Sequence, residues 1–250
     1  MNGKKIISII MTFIALQLTA QSGFKTRQMQ FERVKTAYKE KEKQIQTHLK
    51  TFNLKLNKLE ILLMAYKKER KLELWAKDKL QEKYQLINTY DFSSFSGKLG
   101  PKRKQGDGQI PEGIYQIERF NPASNFYLSL GINYPNASDK IKSNASDLGG
   151  DVFIHGNNVT IGCIPITDDK IKELYLYAIE ARNSGQTKIQ VAIFPCKLDK
   201  DGVEKLQKDY ASQKALLSFW EKLQDIYQYF HTKKHLPKIS IDENGDYIYK

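Results

Sequence analysis

Residues 153–168 read Phe153-Ile154-His155-Gly156-Asn157-Asn158-Val159-Thr160-Ile161-Gly162-Cys163-Ile164-Pro165-Ile166-Thr167-Asp168. The run from Asp151 to His155 has the make-up of a short buried strand, and it ends on an imidazole. A thiol follows eight residues later, in a glycine-flanked turn, so a tight loop can bring the two side chains together. A thiol is a poor nucleophile until it loses its proton, and a neighbouring imidazole stabilises the thiolate as an ion pair. Gly162 permits a tight turn that exposes the sulfur, and backbone N–H groups there can face the oxyanion of a tetrahedral intermediate. Taken alone, the segment also fits a buried inert Cys beside a satisfied His. Cys163, His155 and Asp168 offer no repeated ligand pair, so neither a metal nor a cofactor is expected.

Upstream, Leu59 to Tyr66, Lys71 to Ala76 and Tyr84 to Phe92 are apolar or alternating runs separated by charged turns, the pattern of a strand meander. Ser93 to Gly113 is rich in Gly, Pro and cations and reads as a long surface loop. Ile114 to Phe120 and Phe126 to Ile132 resume the strand pattern, and Asn133 to Gly150 reads as a second loop. Downstream, Thr167 or Asp168 caps a helix in which Ile171, Leu174, Tyr175, Ala178 and Ile179 recur at helical spacing until Gly185. Thr187 to Phe194 is a strand. Asp201 to Tyr210 and Ser212 to Phe230 form a helical pair, and Lys238 to Ile241 with Tyr247 to Tyr249 a closing hairpin.

The N-terminus carries a different message. Lys4 and Lys5 precede an apolar run from Ile6 to Leu18, and Ala20 follows as a small residue. This is the layout of a secretory signal peptide cleaved near Ala20, and the run is too short to span a bilayer comfortably. The expected organisation is therefore a signal peptide over 1–20, a helical segment over 21–56 lying outside the main domain (packed on it, spacing it from the membrane, or binding a partner helix), and one catalytic domain over 57–250. The net charge of +12 is uneven: residues 25–104 hold 21 Lys/Arg against 9 Asp/Glu, whereas residues 105–250 hold 17 against 19. An exported basic half points to an anionic wall or a membrane surface rather than to nucleic acid, unless it is merely a solvated helix face. Cys163 and Cys196 are the whole cysteine inventory, and a bridge between them is formally open.

The segment at His155–Cys163 resembles the His-Gly … Ser/Thr-x-Gly-Cys signature of the L,D-transpeptidase catalytic domain (YkuD-type), closest to its murein L,D-transpeptidase (YafK-like) subgroup with its short His-to-Cys spacing. Leu72-Glu73-Leu74-Trp75, residues 96–103, Gly106-Asp107, Pro111-Glu112-Gly113, Tyr127-Leu128-Ser129, residues 133–136 and Phe219-Trp220 follow the same order. The likeness runs from about Leu59 to Tyr249. It implies a mixed α/β, β-rich fold: a bent sheet or sandwich with flanking helices and, here, an added N-terminal helix.

The resemblance implies Cys163 as acyl-accepting nucleophile and His155 as its base. It has the Gly156 carbonyl orienting the imidazole, Gly162 shaping the nucleophile turn and Thr160 at the Ser/Thr position of the signature. Two departures stand out. Ile161 replaces a frequent second His, and Pro165 replaces an Arg held to bind substrate. Lys102 and Arg103, with Tyr134 across the cleft, are the expected replacements for that Arg, and they are expected to matter little for stability. Asn157 and Asn158 are either polar wall residues or turn formers. The implied activity is acyl transfer on peptidoglycan stem peptides in the periplasm or cell envelope, with a wall-attached protein as one class of acceptor or substrate. The alternatives are an L,D-specific hydrolase using the same pair, a non-catalytic wall-binding module, and a disulfide-stapled structural protein.

Overall fold

The computed structural model describes residues 23–249, so the proposed signal peptide lies outside the described residues. Eight strands form one mixed sheet: β1 (Leu59–Tyr66), β2 (Lys71–Asp78), β3 (Gln85–Asp91), β4 (Gly113–Asn121), β5 (Ser129–Ile132), β6 (Phe153–His155), β7 (Ile164–Pro165) and β8 (Ile189–Phe194). Their order across the sheet is β3-β2-β1-β8-β4-β5-β6-β7. The β1/β8 and β6/β7 pairs are parallel and the others antiparallel. A two-stranded hairpin, β9 (Ile239–Ile241) with β10 (Tyr247–Tyr249), closes the chain.

Helices cover both faces, and β1 shows why its sequence is apolar almost without interruption. Leu59, Ile61, Leu63 and Ala65 enter one core, whereas Leu62, Met64 and Tyr66 enter another on the opposite face. The first core is closed by α1 (Glu32–Thr51) and α3 (Asp168–Asn183). The second is closed by α4 (Lys200–Asp209) and α5 (Lys214–Lys233), whose Phe219, Trp220, Leu223, Ile226, Tyr227 and Phe230 form one buried face. The expected mixed α/β class with a central sheet and flanking helices is what the chain adopts.

Two local expectations sharpen. Of the places open to the N-terminal helix, it takes the one packed on the domain. Val34, Ala37, Tyr38, Ile45 and Leu49 are buried in the core that also holds Ile61 and Tyr175. Each large side chain buried this way contributes roughly 1.5–3 kcal/mol, so α1 is integral to the fold. The segment 133–150 is not all loop, for it contains α2 (Ala137–Lys142). Its start is a capping box in which Asn136 and Asp139 satisfy each other's backbone N–H groups.

Candidate active site

The register of the last three strands builds the site. In the parallel β6/β7 pair Ile154 stands opposite Ile164, and both are buried on the core side. Cys163, the residue before β7, sets its sulfur within hydrogen-bond reach of the Phe153 N–H, so the turn brings the thiol onto the short strand that ends at His155, two residues on.

His155 is 1% exposed. Its Nδ1 lies 2.5 Å from the Gly156 carbonyl oxygen, so Nδ1 carries the proton and Nε2 is left as the basic nitrogen. The Phe126 ring packs on the imidazole at 4.6 Å between centroids. Burial pulls the imidazole below its ordinary pKa, with the Gly156 carbonyl pulling weakly the other way, so the ring is neutral near pH 7. Gly156 has to be glycine: a Cβ there would stand 2.4 Å from an Asp168 carboxylate oxygen and 2.8 Å from the Phe126 carbonyl. That close approach docks the start of α3 against the strand end. Thr167, the residue before α3, has φ +73° and makes no side-chain cap, unlike the capping role expected of it. The Asp168 carboxylate instead accepts the Asn157 N–H at 2.7 Å, and Asn157, at φ +63°, is a turn former.

Cys163 is partly exposed and unbridged, and Cys196 is buried and also free. The Cys163 sulfur accepts the Phe153 N–H at 3.4 Å and donates to the Asp151 carbonyl at 3.7 Å. Burial pushes this thiol up, against smaller opposing pulls from the Phe153 N–H and the Lys102 charge. Burial thus favours the neutral form of both groups, and no hydrogen bond joins thiol to imidazole. The thiol's hydrogen bonds are with backbone, and it must turn to meet Nε2.

Thr160 has a local task. Its hydroxyl accepts the N–H groups of Cys163 (2.8 Å) and Gly162 (3.2 Å) and donates to the Cys163 carbonyl (2.8 Å). It therefore occupies the very N–H groups expected to face an oxyanion, and it holds the nucleophile turn in shape. Gly162 has φ +129°, and a Cβ there would meet the Gln109 carbonyl oxygen at 2.9 Å. The long loop of residues 93–112 thus lies directly against the nucleophile turn, a contact that no local pattern announced.

That loop is anchored deep in the fold. Lys67 and Glu112 are both fully buried and paired at 2.9 Å. Lys67 also donates to the carbonyls of Gly100 (2.6 Å) and Ile110 (2.8 Å), and Glu112 accepts from Gly100 N–H (2.8 Å) and from the Trp220 indole (2.7 Å). The expected substrate cations sit on this loop, but their charges are already matched. Lys102 is 5% exposed and paired with Asp107 at 2.7 Å, with Tyr134 under its ammonium at 5.8 Å. Arg103 is paired with buried Asp139 at 2.9 Å and lies over the Phe219 ring. Tyr134 donates its hydroxyl to the Leu148 carbonyl at 3.1 Å. The structure therefore brings Lys102 and Tyr134 together as expected, yet as partners of each other. A cleft of about 440 Å³ lies on this loop, lined by Arg103, Lys104, Asp107, Gln109 and Lys142 among others, and Gln109 is also the residue whose carbonyl abuts Gly162. A cavity of about 720 Å³ at the C-terminal end of α1, lined by Leu49, Leu54 and Leu56 among others, contains no residue of the His–Cys site. No cluster of His, Cys, Asp or Glu fit for a metal ion occurs among the described residues.

The family model of the L,D-transpeptidase catalytic domain (YkuD) matches residues 60–191. YafK of Escherichia coli strain K12, itself named only provisionally as an L,D-transpeptidase, is 34% identical over 190 residues, covering 75% of this chain and 73% of its own length. Among solved structures, the helical cell shape determining protein Pgp2 from Campylobacter jejuni aligns with a TM-score of 0.44 and 18% identity, covering 74% of this chain and 73% of its own. Bd1075 of Bdellovibrio bacteriovorus aligns with a TM-score of 0.38 and 25% identity, covering 68% and 62%.

Proposed function

The chain belongs to the L,D-transpeptidase catalytic-domain family, and on that premise we propose that it is an exported cysteine acyltransferase acting on peptidoglycan stem peptides, with Cys163 as nucleophile and His155 as base. The observation that carries this reading is the Cys163 sulfur held on the Phe153 N–H, two residues from His155, together with the Nδ1 bond to the Gly156 carbonyl that leaves Nε2 free to accept a proton. Because burial favours the neutral form of both groups, proton transfer accompanies attack. The Cys163 proton passes to Nε2 as sulfur bonds to the carbonyl carbon between an L-centre and a D-residue of the stem. The C–N bond then breaks, and the imidazolium gives its proton to the departing amine. An acceptor amine attacks the thioester, yields its proton to Nε2, and frees the thiol, which regains that proton. Water in place of the amine gives hydrolysis with the same residues.

Export is supported by the pattern of residues 1–20 and by the wall chemistry of the family. No helix among the described residues is long and apolar enough to cross a membrane. For the donor, the cleft beside Gln109 offers Lys104 as an exposed cation, with Lys102 close enough for its charge to reach the Cys163 thiol. The test is incubation with purified stem tetrapeptides, followed by mass spectrometry of protein and products. A mass gain on Cys163 equal to the tetrapeptide less the free D-amino acid released from its end is expected. It should be absent in Cys163→Ala and reduced about 10²–10⁴-fold in rate in His155→Ala. An unmodified Cys163 with intact peptide would overturn the reading.

A further inference from the structure

Opposite the imidazole stands a buried hydroxyl with nothing to bond. Ser129 pairs directly with His155 in the antiparallel β5/β6 ladder. The adjoining ladder bond runs from the Gly156 N–H to the Leu128 carbonyl at 3.2 Å, so it flanks the Ser129–His155 pair instead of joining it. That makes the two a non-hydrogen-bonded pair, the closer kind, with Cβ atoms roughly 4.5–5.5 Å apart on the same face. Ser129 is 1% exposed and its Oγ has no hydrogen-bond partner. An orphan of this sort is costly, and native folds seldom keep one without a use.

The neighbours narrow that use. Across the other edge of β5, Ser129 pairs with Asn121. On the far side of His155, Phe126 covers one face of the ring and Nδ1 is committed to Gly156. The one group of the imidazole still seeking a partner is Nε2. A hydroxyl suits it in both protonation states, donating to neutral Nε2 and accepting from the Nε2–H of the imidazolium. An apolar residue of the same size suits neither.

We propose that Ser129 is a positioning residue of this site, whose hydroxyl, by rotation from the unpartnered position it holds here, takes up the His155 Nε2 when neither the Cys163 thiol nor a substrate amine does so. The tautomer set by the Gly156 carbonyl is thereby reinforced, and the ring keeps one orientation between the two half-reactions. This rests on the acyl-transfer reading for its place in turnover, but not for the contact itself.

The experiment compares wild type with Ser129→Ala, Ser129→Thr and His155→Ala in three measurements. Imidazole ¹⁵N NMR reads the His155 tautomer, iodoacetamide alkylation reads Cys163, and stem-peptide acylation reads the reaction. Ser129→Ala is expected to melt at or above the wild-type temperature, since it removes an unsatisfied group. It should mix the His155 tautomers and slow both alkylation and acylation about tenfold, the worth of one hydrogen bond. Ser129→Thr keeps the hydroxyl and should recover most of the rate. Wild-type tautomer and rates in Ser129→Ala would overturn the proposal, as would a large fall in its melting temperature, which would make the hydroxyl structural. The two readings separate cleanly. Acylation that needs His155 but ignores Ser129 sinks only the Ser129 assignment. A wild type that takes no acyl group while Ser129→Ala still disturbs tautomer and alkylation sinks only the acyl-transfer reading.

Discussion

The carbonyl oxygen of Gln109 stands where a side chain on Gly162 would begin, 2.9 Å from the position of its Cβ. The loop wall and the nucleophile turn are therefore in contact through backbone alone, and Gly162 sits in a left-handed conformation at φ +129°. Gly162→Ala is expected to cost about 1–3 kcal/mol from backbone strain, and to push the turn off Gln109. Denaturant unfolding should show that loss. Iodoacetamide labelling should show altered Cys163 reactivity with His155 untouched. Unchanged stability and labelling would mean that the loop gives way freely.

Arg103 was expected to be a solvated donor contact with little bearing on stability. Its partner Asp139 is 1% exposed and also accepts from the Tyr115 hydroxyl at 3.0 Å and the Asn136 N–H at 3.1 Å. Burial, as the largest influence, raises the Asp139 pKa, while Arg103 helps to hold it down. Arg103→Ala should therefore destabilise by about 1–3 kcal/mol, the cost of leaving a buried acceptor underpaired. Asp139→Asn in the same chain should recover part of this in a double-mutant cycle. A stability change under about 0.5 kcal/mol would restore the surface-charge view.

The two cysteines should differ sharply in solution. Cys196 is fully buried and burial pushes its thiol up to about 12, so it should resist alkylation in the folded protein. Cys163 is partly exposed but also raised, so its thiolate is scarce at neutral pH. Its labelling rate should climb with pH through and beyond the ordinary thiol value of about 8.5. A preformed thiolate–imidazolium pair would behave otherwise, with a rate already level below about pH 7. A level profile, or equal labelling of both cysteines, would contradict the neutral resting pair.

The buried Lys67–Glu112 pair anchors both ends of the loop wall. Lys67→Met leaves a buried carboxylate without its cation and should cost about 3–5 kcal/mol in urea unfolding. The double variant Lys67→Met with Glu112→Gln should lose less than the sum of the singles, because no unmatched charge remains. Additive losses would show that the two residues act independently.

His155, Gly162 and Cys163 were legible because their signal is local: a strand end, a short turn and a thiol within eleven residues. The strands of the meander were legible for the same reason. Thr160 was within reach too, since its hydroxyl serves N–H groups two and three residues on, a pattern that Thr-x-Gly-Cys permits. The Asn136–Asp139 spacing likewise hid the start of α2 in plain view. The ion pair of Arg103 was hidden because its matching carboxylate depends on folding: Asp139 lies 36 residues away. The helix α1 was set apart because Lys and Glu dilute its buried stripe, and only the facing α3 reveals that Tyr38 meets Glu180 at 2.7 Å.

The indole of Trp220 reaching Glu112 has a bearing on how much of this chain is portable. The family match ends at residue 191, before α5 begins. A fragment cut there would keep every atom of the His–Cys pair and lose the donor that completes the Glu112 carboxylate, along with the helical cover of one sheet face. Recombination of this active site into another scaffold therefore needs the C-terminal helices as cargo, since the loop that abuts the nucleophile is moored to them.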